Sequence, residues 1–187
     1  SAVITVSNNK YNAGDTITYS AVGTDAEDGT LPTSAYSWKV EFHHGEHLHP
    51  FLDNGTGTGG AITIPRTPDQ LSNTWYRIIV TVTDSSGLST DEYVDVHPNL
   101  VTMTYQSNHP NGTFTIDGVP HKGTFTEQGV VGVQHVLNVA SPQYSGTDQL
   151  VFDGWSDGGA QSHMIVTPNA DGTYTVTFDV VPLGAMV

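Results

Sequence analysis

No stretch of this chain carries the apolar spacing of a long amphipathic helix, and that absence leaves strands as its main building material. Residues 36–42 (YSWKVEF) set Trp38, Val40 and Phe42 against Lys39, Glu41 and His43. That alternation gives a strand one core face and one solvent face. Residues 16–22, 61–64 and 75–83 are similarly rich in Thr, Val, Ile and aromatics, and turn clusters such as DAEDGTLP and DSSG separate them. TPDQLSNTW (67–75) is the only stretch that could supply even a short helix. A second series of strands follows at 100–106, 112–117, 123–127, 133–139, 149–155, 162–166 and 173–180. Pro98 and Asn99, in VDVHPNLVT, break the pattern between the two series. The expectation is an all-β chain of two β-sandwich domains, residues 1–97 (immunoglobulin-like) and 98–187, with a short joint and no internal repeat.

Composition narrows the function. With 5 Lys+Arg against 19 Asp+Glu and a net charge of -14, the chain would repel a nucleic acid backbone, whose binding needs cations to displace counterions. No apolar run approaches the roughly 20 residues that span a bilayer, so membrane insertion is not expected. The absence of Cys removes disulfides, CxxC chemistry and thiolate metal sites. Acidity of this degree fits a secreted or cell-surface protein. Ser1 in place of an initiator Met reads as the start of a piece cut from a longer, processed protein.

The segment FHHGEHLHPF (42–51) places four histidines in ten residues. A two-residue turn at Gly45-Glu46 puts His44 opposite His47 and Phe42 opposite His49, all on the core side of the sheet at its rim. Three neutral imidazoles there, His44, His47 and His49, could hold a transition metal, with Glu41, Glu46 or water completing the shell. His43 faces the other way. Two further readings stand beside this one. The histidines pack on Phe51 and Trp38 and bond loop carbonyls, or His43 and His47 join Trp75 and Tyr76 in a carbohydrate-binding platform.

Asp25, Glu27, Asp28 and Asp84 lie in loops that one end of a sandwich can gather into an oxygen-rich calcium site; the alternative is a set of Asx turns. In FDGWSDGG (152–159), Trp155 reads as core and Asp157 as a turn former. The signatures of a nucleophile elbow, a phosphate loop, a dinucleotide fold and a zinc protease are all missing. Glu41 and Glu46 could in principle pair for glycoside hydrolysis, but nothing places a cleft between them. The chain is therefore read as no enzyme on its own.

The stretches YNAGDTITYSAVGTDAEDGTLP, YSWKVEFHHGEHLHPF and WYRIIVTVTDSSGL resemble the PKD-like, immunoglobulin-like modules of secreted bacterial proteins. SWKVEFHHGEHLHPF together with FDGWSDGGAQSH resembles the accessory regions of bacterial glucose/sorbosone dehydrogenase-like and other carbohydrate-active proteins. The resemblance implies a non-catalytic accessory module, covalently attached to a catalytic domain, that binds a polysaccharide or oligosaccharide. A calcium-stiffened spacer or adhesion module and a transition-metal binder are the alternatives.

Overall fold

The computed structural model describes residues 1–184, and nearly all their regular structure is strand; the one helical segment among them is a single 3-10 turn, Thr33–Ala35. The chain is all-β and forms two compact units. The first comprises Ser1–Pro65 and Gln70–Asn99, the second Arg66–Asp69 and the residues from Leu100 onward. The division falls two residues beyond the 97/98 boundary expected from the break at Pro98, and it is not contiguous, because the four residues Arg66–Asp69 count with the second unit.

The first unit contains β1 (Ala2–Val6), β2 (Lys10–Tyr11), β3 (Thr16–Asp25), β4 (Gly29–Thr30), β5 (Tyr36–His44), β6 (His47–Thr56), β7 (Gly59–Thr63), β8 (Thr74–Thr83) and β9 (Ser89–Pro98). In one sheet β3 pairs with β1, β7 and β4; the other runs β2-β9-β8-β5-β6. The chain changes sheets between β1, antiparallel to β3, and β2, parallel to β9. With Trp38 buried on β5 and Tyr76 near the start of β8, this is an immunoglobulin-like sandwich. Burial alternates along β8, where Tyr76, Ile78, Val80 and Val82 point inward against Trp38, Val40 and Phe42 of β5. Trp38 packs its ring on Tyr19 at 4.6 Å and donates Nε1–H to the Gly57 carbonyl at 2.7 Å. A Cβ at Gly59 would overlap the Tyr19 carbonyl oxygen, so β7 can close on β3 only as glycine there.

The stretch TPDQLSNTW forms turns instead of a short helix. The reason is Gln70, which is buried and spends its amide on tertiary partners. Its Nε2 donates to Tyr76 Oη at 3.1 Å, and its Oε1 accepts from Tyr11 and Tyr76 hydroxyls at 3.3 Å. Tyr11 Oη also lies 3.2 Å from Thr74 Oγ1, which donates to the Leu71 carbonyl. A buried polar group without such partners would be destabilising.

The second unit contains β10 (Leu100–Ser107), β11 (Thr113–Ile116), β12 (Val119–Lys122), β13 (Thr124–Val130), β14 (Gln134–Asn138), β15 (Gln143–Ser145), β16 (Asp148–Trp155), β17 (Ser162–Val166) and β18 (Gly172–Pro182). Its sheets run β13-β10-β18-β16-β15 and β12-β11-β14-β17, with β10 and β18 parallel. Met103, Tyr105, Phe114, Leu137, Leu150 and Val176 are at the centre of one continuous core. Trp155 belongs to that core as expected, at 5% exposure. Arg66 ties into this unit: its Nη1 donates to the Gly132 carbonyl, and its own carbonyl accepts from the Gln134 N–H, both at 2.9 Å.

Tyr105 Oη is buried in the second core without a hydrogen-bond partner among the described residues, and burial pushes its phenol pKa up. An unsatisfied hydroxyl costs about 1–3 kcal/mol when desolvated. Tyr105→Phe is therefore expected to stabilise the chain by about 1 kcal/mol in urea unfolding, and a loss of stability would contradict this account of the core.

Candidate functional site

The expected hairpin register is present: Phe42 pairs with His49, His43 with Leu48 and His44 with His47, across a turn whose Gly45 has φ +55°. The core stops short of the tip. Phe42 is buried, His44 is half-buried, and His47 and His49 are exposed. His44 Nε2 lies 3.0 Å from His49 Nε2 with the rings 15° from parallel, while the His47 ring stands edge-on to His44 at 80°. Two of the three proposed ligands thus face one another and the third does not join them. Among the described residues no group of three or more His, Asp or Glu is arranged to hold a metal. His44 rests on Phe42 at 5.9 Å and bonds His49, in place of the expected packing on Phe51 and Trp38; Phe51 instead packs on Tyr76 at 5.0 Å.

The carbohydrate platform is also rearranged. Tyr76 has no exposed surface; it belongs to the core because it sits at an inward position of β8, so its ring cannot stack on a sugar. His47 lies on the opposite sheet face from His43 and Trp75, since register places His44 and His47 on the core side. His43 and Trp75 are directly opposite on the outer face and stack at 4.9 Å, and Trp75 stacks in turn on His97 at 6.1 Å.

Those two residues belong to a larger array that the outward positions of three adjacent strands assemble. Glu41 accepts from Lys39 Nζ at 2.6 Å and lies 2.9 Å from His43 Nε2. Arg77 makes two parallel hydrogen bonds to Asp95, both 2.8 Å, and its guanidinium lies 4.1 Å from the Tyr93 ring centre. The register explains the grouping: Glu41 pairs with Arg77, and Arg77 with Asp95. Lys39 and Arg77 are two of the chain's five Lys and Arg, and each is matched to a carboxylate. Lys39 and then His43 hold the Glu41 carboxyl below its usual range despite partial burial. The Arg77 guanidinium does the same for Asp95. Sequence reasoning misses Arg77, Tyr93, Asp95 and His97; the alternation of Tyr93, Asp95 and His97 ahead of Pro98, on what is β9, is the signal that could have found them.

The four proposed calcium ligands divide into separate hydrogen-bonded turns. Asp25 Oδ1 accepts the backbone N–H groups of Glu27 and Asp28, and these hold its carboxyl below the usual range. Asp84 Oδ1 accepts from the Ser86 hydroxyl and from the N–H groups of Ser86 and Leu88, and its pKa is likewise lowered, first by the hydroxyl. Asp28 reaches across to Ser85, taking both its N–H and its hydroxyl at 2.8 Å. Glu27 is exposed and contributes its backbone. Asp25 and Asp84 line one cleft of about 220 Å³.

Asp95 carries a depressed pKa, so its ion pair adds stability that is fully present above the ordinary carboxylate range and is lost as pH falls through the lower folded value. A bidentate, partly buried pair of this kind contributes about 1–2 kcal/mol. Asp95→Asn is thus expected to lose that amount at pH 7, with the gap to wild type closing once pH drops below about 4. A gap constant with pH in parallel urea titrations would remove the charge from the explanation.

No protein-family model matches the chain, and no curated protein is found similar to it. Among solved structures, the group B streptococcus pilus 2b backbone protein is similar over 93% of this chain and 98% of that one, at 12% identity and a TM-score of 0.30.

Proposed function

We propose that the chain is a non-catalytic accessory module of a secreted bacterial protein, PKD-like in its first unit, which binds carbohydrate on the outer face of strands β5, β8 and β9. The observation that supports this most is the mutual fixing of the polar groups there. Arg77 is clamped by Asp95 under Tyr93, and Glu41 is clamped by Lys39 and His43. Donors and acceptors already held in place lose little freedom when they meet hydroxyl groups, and that preorganisation is what small polar ligands select. Tyr93, 57% exposed, supplies an aromatic surface beside them. The parent's catalytic domain is its covalent partner in this reading, and no catalytic role falls to residues of this chain.

A second reading is a structural spacer or adhesion module. It draws on the tie between Asp28 and Ser85, which joins loops 57 residues apart, with calcium seated between Asp25 and Asp84.

Affinity electrophoresis through a panel of soluble polysaccharides, with pull-downs on insoluble ones, tests the first reading. Retardation by at least one polymer is expected, and Tyr93→Ala should weaken it roughly tenfold, the worth of one aromatic contact surface. Uniform lack of retention sinks it. For the second reading, the melting temperature is expected to fall on chelation and to recover when calcium is added back, since a ligand selective for the folded state stabilises it. An unchanged melting temperature would remove calcium from this reading and leave the hydrogen bonds to Asp25 and Asp84 as the whole of the loop structure.

A further inference from the structure

His44 and His49 meet head-on at the tip of the β5–β6 hairpin. Their Nε2 atoms are 3.0 Å apart, their planes differ by 15° and their ring centres are 5.1 Å apart. The centre separation exceeds the nitrogen separation by about the centre-to-nitrogen reach of two rings, so the two nitrogens lie near the line joining the centres. A neutral imidazole has one N–H and one lone pair. One ring therefore donates Nε2–H and the other accepts, and a single proton occupies the point at which both nitrogens aim.

We propose that this pair is a binding site for a divalent copper ion between the two Nε2 atoms; the ring that carried Nε2–H passes to its Nδ1–H tautomer by exchange with water, so both rings ligate as neutral imidazoles and no net proton is lost. Metal–imidazole bonds of about 2.0–2.1 Å require the nitrogens to stand about 4 Å apart when they oppose each other. The gap must widen by about 1 Å, which an exposed His49 and a half-buried His44 at a hairpin tip can supply by side-chain rotation. Nitrogens that aim along one line suit the trans positions of a tetragonal centre once the gap has widened, and the general affinity order of divalent metals places Cu2+ above Zn2+ at an imidazole site. Water fills the other positions. Phe42 backs the His44 ring at 5.9 Å and limits its movement on the core side. His47, edge-on with ring centres 5.7 Å apart, is not a ligand. The net charge of -14 favours the approach of any cation. This site is independent of the carbohydrate face, because it lies on the opposite side of the sheet.

The test is titration of the untagged, chelator-treated full chain with Cu2+, followed by calorimetry and electron paramagnetic resonance. The expected result is one Cu2+ per chain with a tetragonal spectrum showing coupling to nitrogen. His44→Ala and His49→Ala should each weaken binding at least tenfold, while His43→Ala and His47→Ala bind like wild type. Zn2+ should bind at least tenfold more weakly than Cu2+. Melting of each variant without metal checks the fold, and because His49 is exposed, its substitution tests the site even if His44→Ala is destabilised. Absence of stoichiometric binding, or wild-type binding by the His44 and His49 variants, overturns the site. An equal loss in His47→Ala, or equal affinity for Zn2+, overturns the two-histidine trans geometry.

Discussion

Strand β5 is hydrogen-bonded along both edges, to β8 from Tyr36 to His44 and to β6 from Ser37 to His44, and this double pairing fixes the histidine pair and the outer-face array alike. A slip of one residue against either neighbour would carry Trp38, Val40 and Phe42 into solvent and Glu41 and His43 into the core. Burying the three apolar side chains stabilises the register by several kcal/mol, at about 1.5–3 kcal/mol each. The outward ladder of Lys39, Glu41 and His43 is a consequence of that choice. So is the rank of Trp75, Arg77, Tyr93, Asp95 and His97, because β8 and β9 inherit their register from β5 in turn.

The array on the outer face combines local strength with economy of charge. A chain with 5 Lys+Arg and 19 Asp+Glu leaves most carboxylates to water or to backbone N–H groups, as Asp25 and Asp84 illustrate. Lys39 and Arg77 are instead committed to one sheet face. Arg77 meets an aromatic ring as well as its carboxylate, Lys39 shares its carboxylate with an imidazole, and Asp91, opposite Thr81 on the same face, accepts from the Thr81 hydroxyl, so each of these charged groups has a partner.

Much of this is legible from residue types alone. Alternation on β5 and β8 foretells the strands, the Gly45-Glu46 turn foretells the pairing of His44 with His47, and Trp155 reads correctly as core. Short strands such as β2, β4 and β15 are not legible, because two or three residues carry no period. Tyr76 is misread as a ligand platform because a Trp-Tyr pair on a strand must split between faces, and the inward member can be identified only once the register is known. Gln70 is invisible for a different reason. A polar residue in a Pro-Asp-Ser context reads as loop surface, and only the tyrosines that converge on it from β2 and β8 explain its burial. The positions of His44, His47 and His49 follow from register, but their ring orientations depend on side-chain rotation and not on any spacing in the chain.

Because the core ends at Phe42, residues 44 to 49 lie on a part of the hairpin that folding does not police. Trp38 or Val40 cannot change without loss of packing, whereas an exposed His47 or His49 can be replaced at almost no expense to stability. Selection for a folded chain alone would let these imidazoles drift toward any polar residue. Comparison of natural variants at these positions with variants at the interior of the same strand is therefore a record of use kept apart from the record of folding.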